Sequence, residues 1–146
     1  MAGIELVASP GEISSGTSAK TVLQITAPTN QRLKIKAWGL MCKGIAPTDA
    51  PLRVRLLRQT TSGTMTSLTL IKRNIATETI QSTASHTATA EPTAGDVLAV
   101  REVHPQSGYY ESFLGNEISV PGGGRVGIEV LAGVSISVVP ELVFEE

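Results

Sequence analysis

Few residues in this chain carry side chains suited to catalysis. A hydrolytic triad needs a nucleophile, a base and an orienting acid, and the only bases of the usual kind are His86 and His104. Serines are plentiful, but none sits in a G-x-S-x-G elbow. Metal binding of the cupin kind uses an H-x-H pair with a Glu shortly after it, and the two histidines here lie eighteen positions apart. Glu102 and His104 share one strand face at i, i+2, which brings two ligands together but makes no complete site. Cys42 is the single cysteine, so an internal disulfide framework and a Cys-rich metal site are excluded. Its position at the apolar end of a strand predicts a buried, inert thiol. Pro121-Gly-Gly-Gly-Arg125 has the look of a phosphate loop, but such loops aim backbone N–H groups at an anion from a helix N-terminus. A strand pattern follows here, so the run reads as a turn with positive φ or as a close backbone approach near a symmetry axis. No catalytic residue, metal site or cofactor is expected.

The remaining chemistry is charge. Arg32, Lys34, Lys36, Arg53 and Arg55 form an outward row in two strand patterns, and together with Trp38 they are the expected partner or subunit interface. A single-stranded nucleic acid would want stacking aromatics beside the cations. Only Trp38 is available, and the chain carries a net charge of −1. A salt-linked face against acidic strands, or against an acidic protein partner, fits better. The charges are also unevenly placed: ten Lys and Arg against three acids through Ile75, then two against ten. In one sheet protein this predicts basic strands of the first half lying beside acidic strands of the second.

The elements that must position these residues are strands. Arg32–Lys43 (RLKIKAWGLMCK) alternates strictly at first, with Leu33, Ile35 and Ala37 on one face and Arg32, Lys34 and Lys36 on the other. In its second half the cationic face turns apolar through Trp38, Leu40 and Cys42. Either Gly39 marks a β-bulge that returns Leu40 and Cys42 to the core, or the strand runs straight and another subunit covers the patch. The reading adopted is the bulge for Leu40 and Cys42 and a subunit contact for Trp38. Further strands are expected at Ile4–Val7, Thr21–Thr26, Leu52–Gln59, Leu68–Ile71, Asp96–His104, Tyr109–Leu114, Glu117–Val120, Arg125–Leu131 and Val134–Val138. Pro140 after the last of these suggests an edge or a bulge, and Leu142–Phe144 closes the chain. A Gly/Pro/Asp loop, GIAPTDAP, follows Lys43. Residues 73–95, rich in Thr, Ser and Ala, read as a long polar crossing with one or two irregular strands.

No amphipathic helix is evident. The 146 residues suffice for one domain that buries roughly 68–70% of its unfolded surface, and with aromatics at 3% the core must come from Val, Ile, Leu and Ala. Short strands with turn signals at regular spacing predict an all-β fold, an antiparallel β-sandwich of eight or nine strands. The long polar crossing favours the Greek-key connections of a jelly roll. Residues 1–19 are expected to give an N-terminal strand and a flexible arm or loop, and residues 20–146 the sandwich. No apolar run approaches the ~18 residues of a membrane span. The opening residues lack a basic segment followed by an apolar one, so synthesis in a cytoplasm is expected.

Four segments, KTVLQITAPTNQRLKIKAWG, PLRVRLLRQTTSGTMT, EPTAGDVLAVREVHPQSGY and VPGGGRVGIEV, resemble those of small trimeric jelly-roll phage capsid decoration (cement, head-stabilising) proteins. The likeness covers most of the ordered pattern and is one of overall cast: a compact Thr/Gly/Val-rich strand protein. It implies a non-enzymatic virion protein, a homotrimer on the capsid exterior at three-fold positions, with the major capsid protein as partner. It offers no catalytic residues to carry over, and residues 1–19 would supply an N-terminal arm. Two other classes stay open: a carbohydrate- or receptor-binding jelly-roll head of a phage fibre or spike, whose stacking candidates are Trp38, Tyr109 and Tyr110, and a cupin-like enzyme.

Overall fold

A computed structural model describes residues 3–43 and 49–146; the middle of the expected Gly/Pro/Asp loop, 44–48, lies outside them. Among the described residues the regular structure is all strand: β1 (Glu5–Ala8), β2 (Ile13–Ser14), β3 (Lys20–Thr26), β4 (Leu33–Cys42), β5 (Leu52–Gln59), β6 (Thr64–Leu68) and β7 (Ile71–Lys72), followed by β8 (Thr83–Ala90), β9 (Ala94–Val103), β10 (Gly108–Ser112), β11 (Ile118–Val120), β12 (Arg125–Leu131) and β13 (Ser137–Glu145). These thirteen exceed the expected eight or nine in part because β2 and β7 are only two residues long, below the length at which alternation is visible.

Two antiparallel sheets form the sandwich. The first runs β10-β4-β13-β1-β7, with β11 also on β4 and β2 on β13; the second runs β6-β8-β3-β12-β5-β9. Consecutive long strands cross between the sheets at β3–β4, β4–β5, β9–β10 and β12–β13, so each alternating strand sends its apolar face into one shared core. Leu6, Trp38, Leu40 and Phe144 from one sheet meet Leu23, Ile25, Leu56 and Ile128 from the other, and all are fully buried. Burying each such side chain contributes about 1.5–3 kcal/mol.

The N-terminal segment belongs to this core. β1 lies inside the first sheet, between β13 and β7, and Leu6 and Ala8 are buried. Beyond it Ile13 and Ser15 are buried too, and Ser15 exchanges hydrogen bonds with Ile136: its N–H donates to the Ile136 carbonyl at 2.8 Å and its Oγ accepts from the Ile136 N–H at 3.0 Å.

β4 does change face, but not at Gly39. Its register with β13 skips between Ala37, opposite Val143, and Ile35, opposite Phe144, so the extra residue is Lys36. A bulge residue advances the strand without advancing its partner, which inverts every later side chain. Trp38 and Leu40 therefore turn inward and are fully buried. The expected subunit contact at Trp38 is corrected accordingly, because its own domain already covers the indole.

Pro140 is a second correction. It lies within β13, a central strand paired to β4 along its length. On the opposite side β13 pairs β1 at residues 142–145 and β2 at 137–138, leaving a gap between. The Pro140 carbonyl points into that gap, where Ser9 Oγ donates to it at 3.2 Å. In a strand the N and C=O of one residue point the same way, so the missing N–H faces a stretch with no ladder to break.

The polar crossing contains one eight-residue strand, β8, beside β3. Its alternation is hidden by a bulge at Thr87, whose φ of 55° is left-handed, and by register shifts against β6. The expected Leu68–Ile71 strand is split between the end of β6 and the start of β7, because the chain changes sheets there.

Candidate partner-binding face

The basic row is not one surface. Lys34 and Lys36 lie on the outer side of the first sheet, with Arg32 exposed just before them, whereas Arg53 and Arg55 lie on the outer side of the second. β4 and β5 are neighbours in sequence but sit in opposite layers, so the two groups face away from each other. Each is answered by an acid on the next strand. Lys36 Nζ meets Glu145 at 2.8 Å on β13, and Arg55 Nε donates to Glu129 on β12 at 2.8 Å, with Arg53 at 3.9 Å from the same carboxylate. Here the basic strands of the first half stand beside acidic strands of the second.

These contacts set the ionisation of the first pair. The hydrogen bond from Lys36, helped by the Gly3 N–H, holds the Glu145 carboxyl below its ordinary range, and the same bond raises Lys36. Because the folded pKa of Glu145 is depressed, its contribution to stability is present above the unfolded value of about 4.3 and is lost as pH falls through the folded one. Lys36→Met is therefore expected to flatten the acid limb of a stability–pH curve below about pH 5, measured by urea unfolding, while leaving the shape near neutrality unchanged.

The other residues with chemical potential have structural roles. His104 Nδ1 accepts the Gln106 N–H at 3.1 Å in the turn after β9, and His86 Nδ1 lies 2.9 Å from Thr87 Oγ1 at the β8 bulge. Glu102 stands opposite Arg53. Among the described residues no three His, Cys, Asp or Glu side chains converge as a metal-holding group. Burial pushes the Cys42 thiol up, away from the thiolate. The glycine run is a turn: Gly124 N donates to the Pro121 carbonyl at 2.8 Å, Gly123 has φ +77°, and a Cβ on Gly122 would come within 2.6 Å of the Thr29 carbonyl.

Trp38, Tyr109, Glu111 and Arg101 form a clasp across the open side of the sandwich. The indole N–H donates to Glu111 at 3.2 Å, the Tyr109 hydroxyl donates to the same carboxylate at 3.0 Å, and Arg101 Nε donates to the Tyr109 oxygen at 2.9 Å. Arg101 also pairs with Glu111 at 3.2 Å, joining β9 of one sheet to β10 of the other. Of the three aromatic stacking candidates, two are thus committed internally and Tyr110 alone is half exposed, at 49%.

Tyr110 belongs to a surface that nothing in the residue spacing pointed to. On the outer side of the first sheet, Ile71, Val7, Val143 and Ala37 lie in register across β7, β1, β13 and β4. Above this row Tyr110 packs over Gly39 and Met41 over Gly108, each glycine leaving the space its neighbour fills. Met41, Ile71, Tyr110 and, in the turn after β10, Leu114 are exposed. Lys36–Glu145 and Arg73–Glu5 ion pairs flank them. With Leu40 turned inward Met41 points outward, as the expected return of Leu40 and Cys42 to the core also implies, but its neighbours on the face are brought there by strand order.

No protein-family model, curated protein or solved structure matches this chain.

Proposed function

We propose that this protein is a non-enzymatic virion structural protein that seats on the outer surface of an assembled phage capsid and stabilises it as a homotrimer. The observation that carries the reading is the outer face of the first sheet, where Met41, Ile71, Tyr110 and Leu114 stand exposed around an apolar row framed by ion pairs. Exposed apolar residues rimmed by charge mark an interaction surface, and an aromatic with Met at its centre is the composition of an interface core. The strand order supports the jelly roll as the finer description: β1-β13-β4-β10 in one sheet and β3-β12-β5-β9 in the other are two four-stranded layers wound as Greek keys. A protein of this kind stabilises by mass action, binding the assembled shell and not its unfolded subunits.

Light scattering and co-sedimentation with capsids emptied of their genome test the reading together. A trimer that pellets with capsids is expected, with retention falling about 30-fold or more for a Met41→Glu/Tyr110→Glu variant that still folds, the loss typical of a hot-spot pair. A monomer at micromolar concentration that stays in the supernatant would overturn it.

A further inference from the structure

The outer face of the second sheet is built differently, and we infer that it holds a binding site for a carboxylate-bearing sugar centred on Arg125. The inference does not rest on the capsid reading, which concerns the opposite face. Two rows of polar residues cross the strands in register: Arg125, Thr26 and Thr83 on β12, β3 and β8, and Gln24, Ser85 and Ser67 on β3, β8 and β6. They line one shallow depression with Met65 on its wall. Strands lie about 4.8 Å apart and same-face residues about 6.8 Å apart along them, so the depression presents several hydroxyls over an area the size of one sugar ring.

The floor is fixed rather than mobile. Gln24 and Gln59 are buried on this outward side; Gln24 Nε2 donates to Gln59 Oε1 at 2.6 Å and to the Thr61 carbonyl at 3.2 Å, and Gln59 Nε2 donates to Thr21 Oγ1 at 2.9 Å. Gly127 leaves the space that Gln59 occupies, since a Cβ there would collide with its amide. This arrangement spends the amide donors on the protein and leaves Gln24 Oε1 as an acceptor. Above the floor the Thr26, Thr83 and Ser67 hydroxyls take no protein partner among the described residues, and Ser85 makes only a weak contact to Met65 Sδ at 3.7 Å.

Charge selects the ligand class. Arg125 is the one charged group in the lining, with no carboxylate beside it. Its guanidinium makes a single long bond to the protein, Nη1 to the Thr60 carbonyl at 3.5 Å, and its Nε is buried without a partner. A guanidinium whose Nη donors are largely open pairs with a carboxylate through parallel N–H···O bonds, and the adjacent hydroxyl rows supply donors and acceptors for ring hydroxyls. A simple anion would use the first feature alone and a neutral sugar the second alone.

Amide chemical-shift titration of the full chain with glucuronate, glucose and acetate tests the assignment. Glucuronate is expected to produce saturable shifts confined to Gln24, Thr26, Ser67, Thr83 and Ser85. Glucose and acetate should bind about tenfold or more weakly, as should glucuronate to Arg125→Gln, with Arg125→Lys in between. Equal affinity for acetate would reduce the site to an anion site, equal affinity for glucose would remove Arg125 from it, and no saturable shift would abolish it; each overturns the proposal. Should Arg125→Gln perturb the fold, Thr83→Val/Ser85→Ala must weaken glucuronate binding by a similar factor, and unchanged binding there has the same force.

Discussion

Replacing Trp38 by alanine is expected to destabilise the isolated domain by about 3–5 kcal/mol, the cost of deleting a large aromatic from a packed core. The indole is fully buried beneath β10, with its ring centroid 5.6 Å from that of Tyr109. Its N–H also gives Glu111 one of the donors that hold the carboxylate within the clasp. Trp38→Phe retains most of the apolar volume but removes that donor, so a loss nearer 1 kcal/mol is expected. Urea unfolding followed by circular dichroism measures both. A companion observation needs no mutation: as the only tryptophan, Trp38 should emit to the blue in the isolated chain and resist acrylamide until the chain unfolds. Quenching of the native isolated chain would restore the subunit-contact reading that the burial of Trp38 displaces.

That displaced reading shows where residue patterns run out. β5 and β12 coincide with their expected bounds, Leu52–Gln59 and Arg125–Leu131, because each opens on a run of clear alternation, through Leu56 in β5 and along all of β12, and each is bounded by turn residues. β4 alternates just as strictly through Ala37, yet its bulge sits at Lys36 inside the regular part. The pressure that places it there is tertiary: Trp38 and Leu40 have a core to fill, and one extra residue turns both inward. Pro140 misleads for a related reason, since edge strands and ladder gaps look alike in a single chain; what spares its missing N–H is the break between β1 and β2 on the neighbouring side. Alternation also separates inside from outside without naming the layer, so Lys36 and Arg55 read as one row although they occupy opposite faces of the sandwich. The partner face and the Arg125 depression both depend on neighbours brought together by strand order, Gly39 with Tyr110 and Arg125 with Thr83, which local pattern does not contain.

Gly39→Val carries the second large effect, and it follows from strand spacing rather than from backbone freedom. Gly39 lies opposite Tyr110 on β10 and Glu141 on β13, on the outer side of the sheet. A Cβ added there would come within 2.7 Å of Tyr110 Cδ2 and 2.9 Å of the Tyr109 carbonyl oxygen. The ring can swing away, but the carbonyl is main chain, so a branched side chain must push β10 off β4. Overpacking of this kind costs about 1–3 kcal/mol. Here the displaced strand also carries Tyr109 and Glu111, so the hydrogen bonds linking Trp38 and Arg101 to it weaken together. The effect should be local before it is global. Hydrogen exchange at the amides of β10 and the adjoining part of β4 is expected to accelerate first, while β12 and β3 keep their protection. Tyr110 would lose its seat over Gly39 at the same time, so a folded Gly39→Val chain should also lose capsid retention. If retention survived while β10 exchanged freely, Tyr110 and its glycine floor would have no part in the docking face, and Met41, Ile71 and Leu114 would have to hold the shell without it.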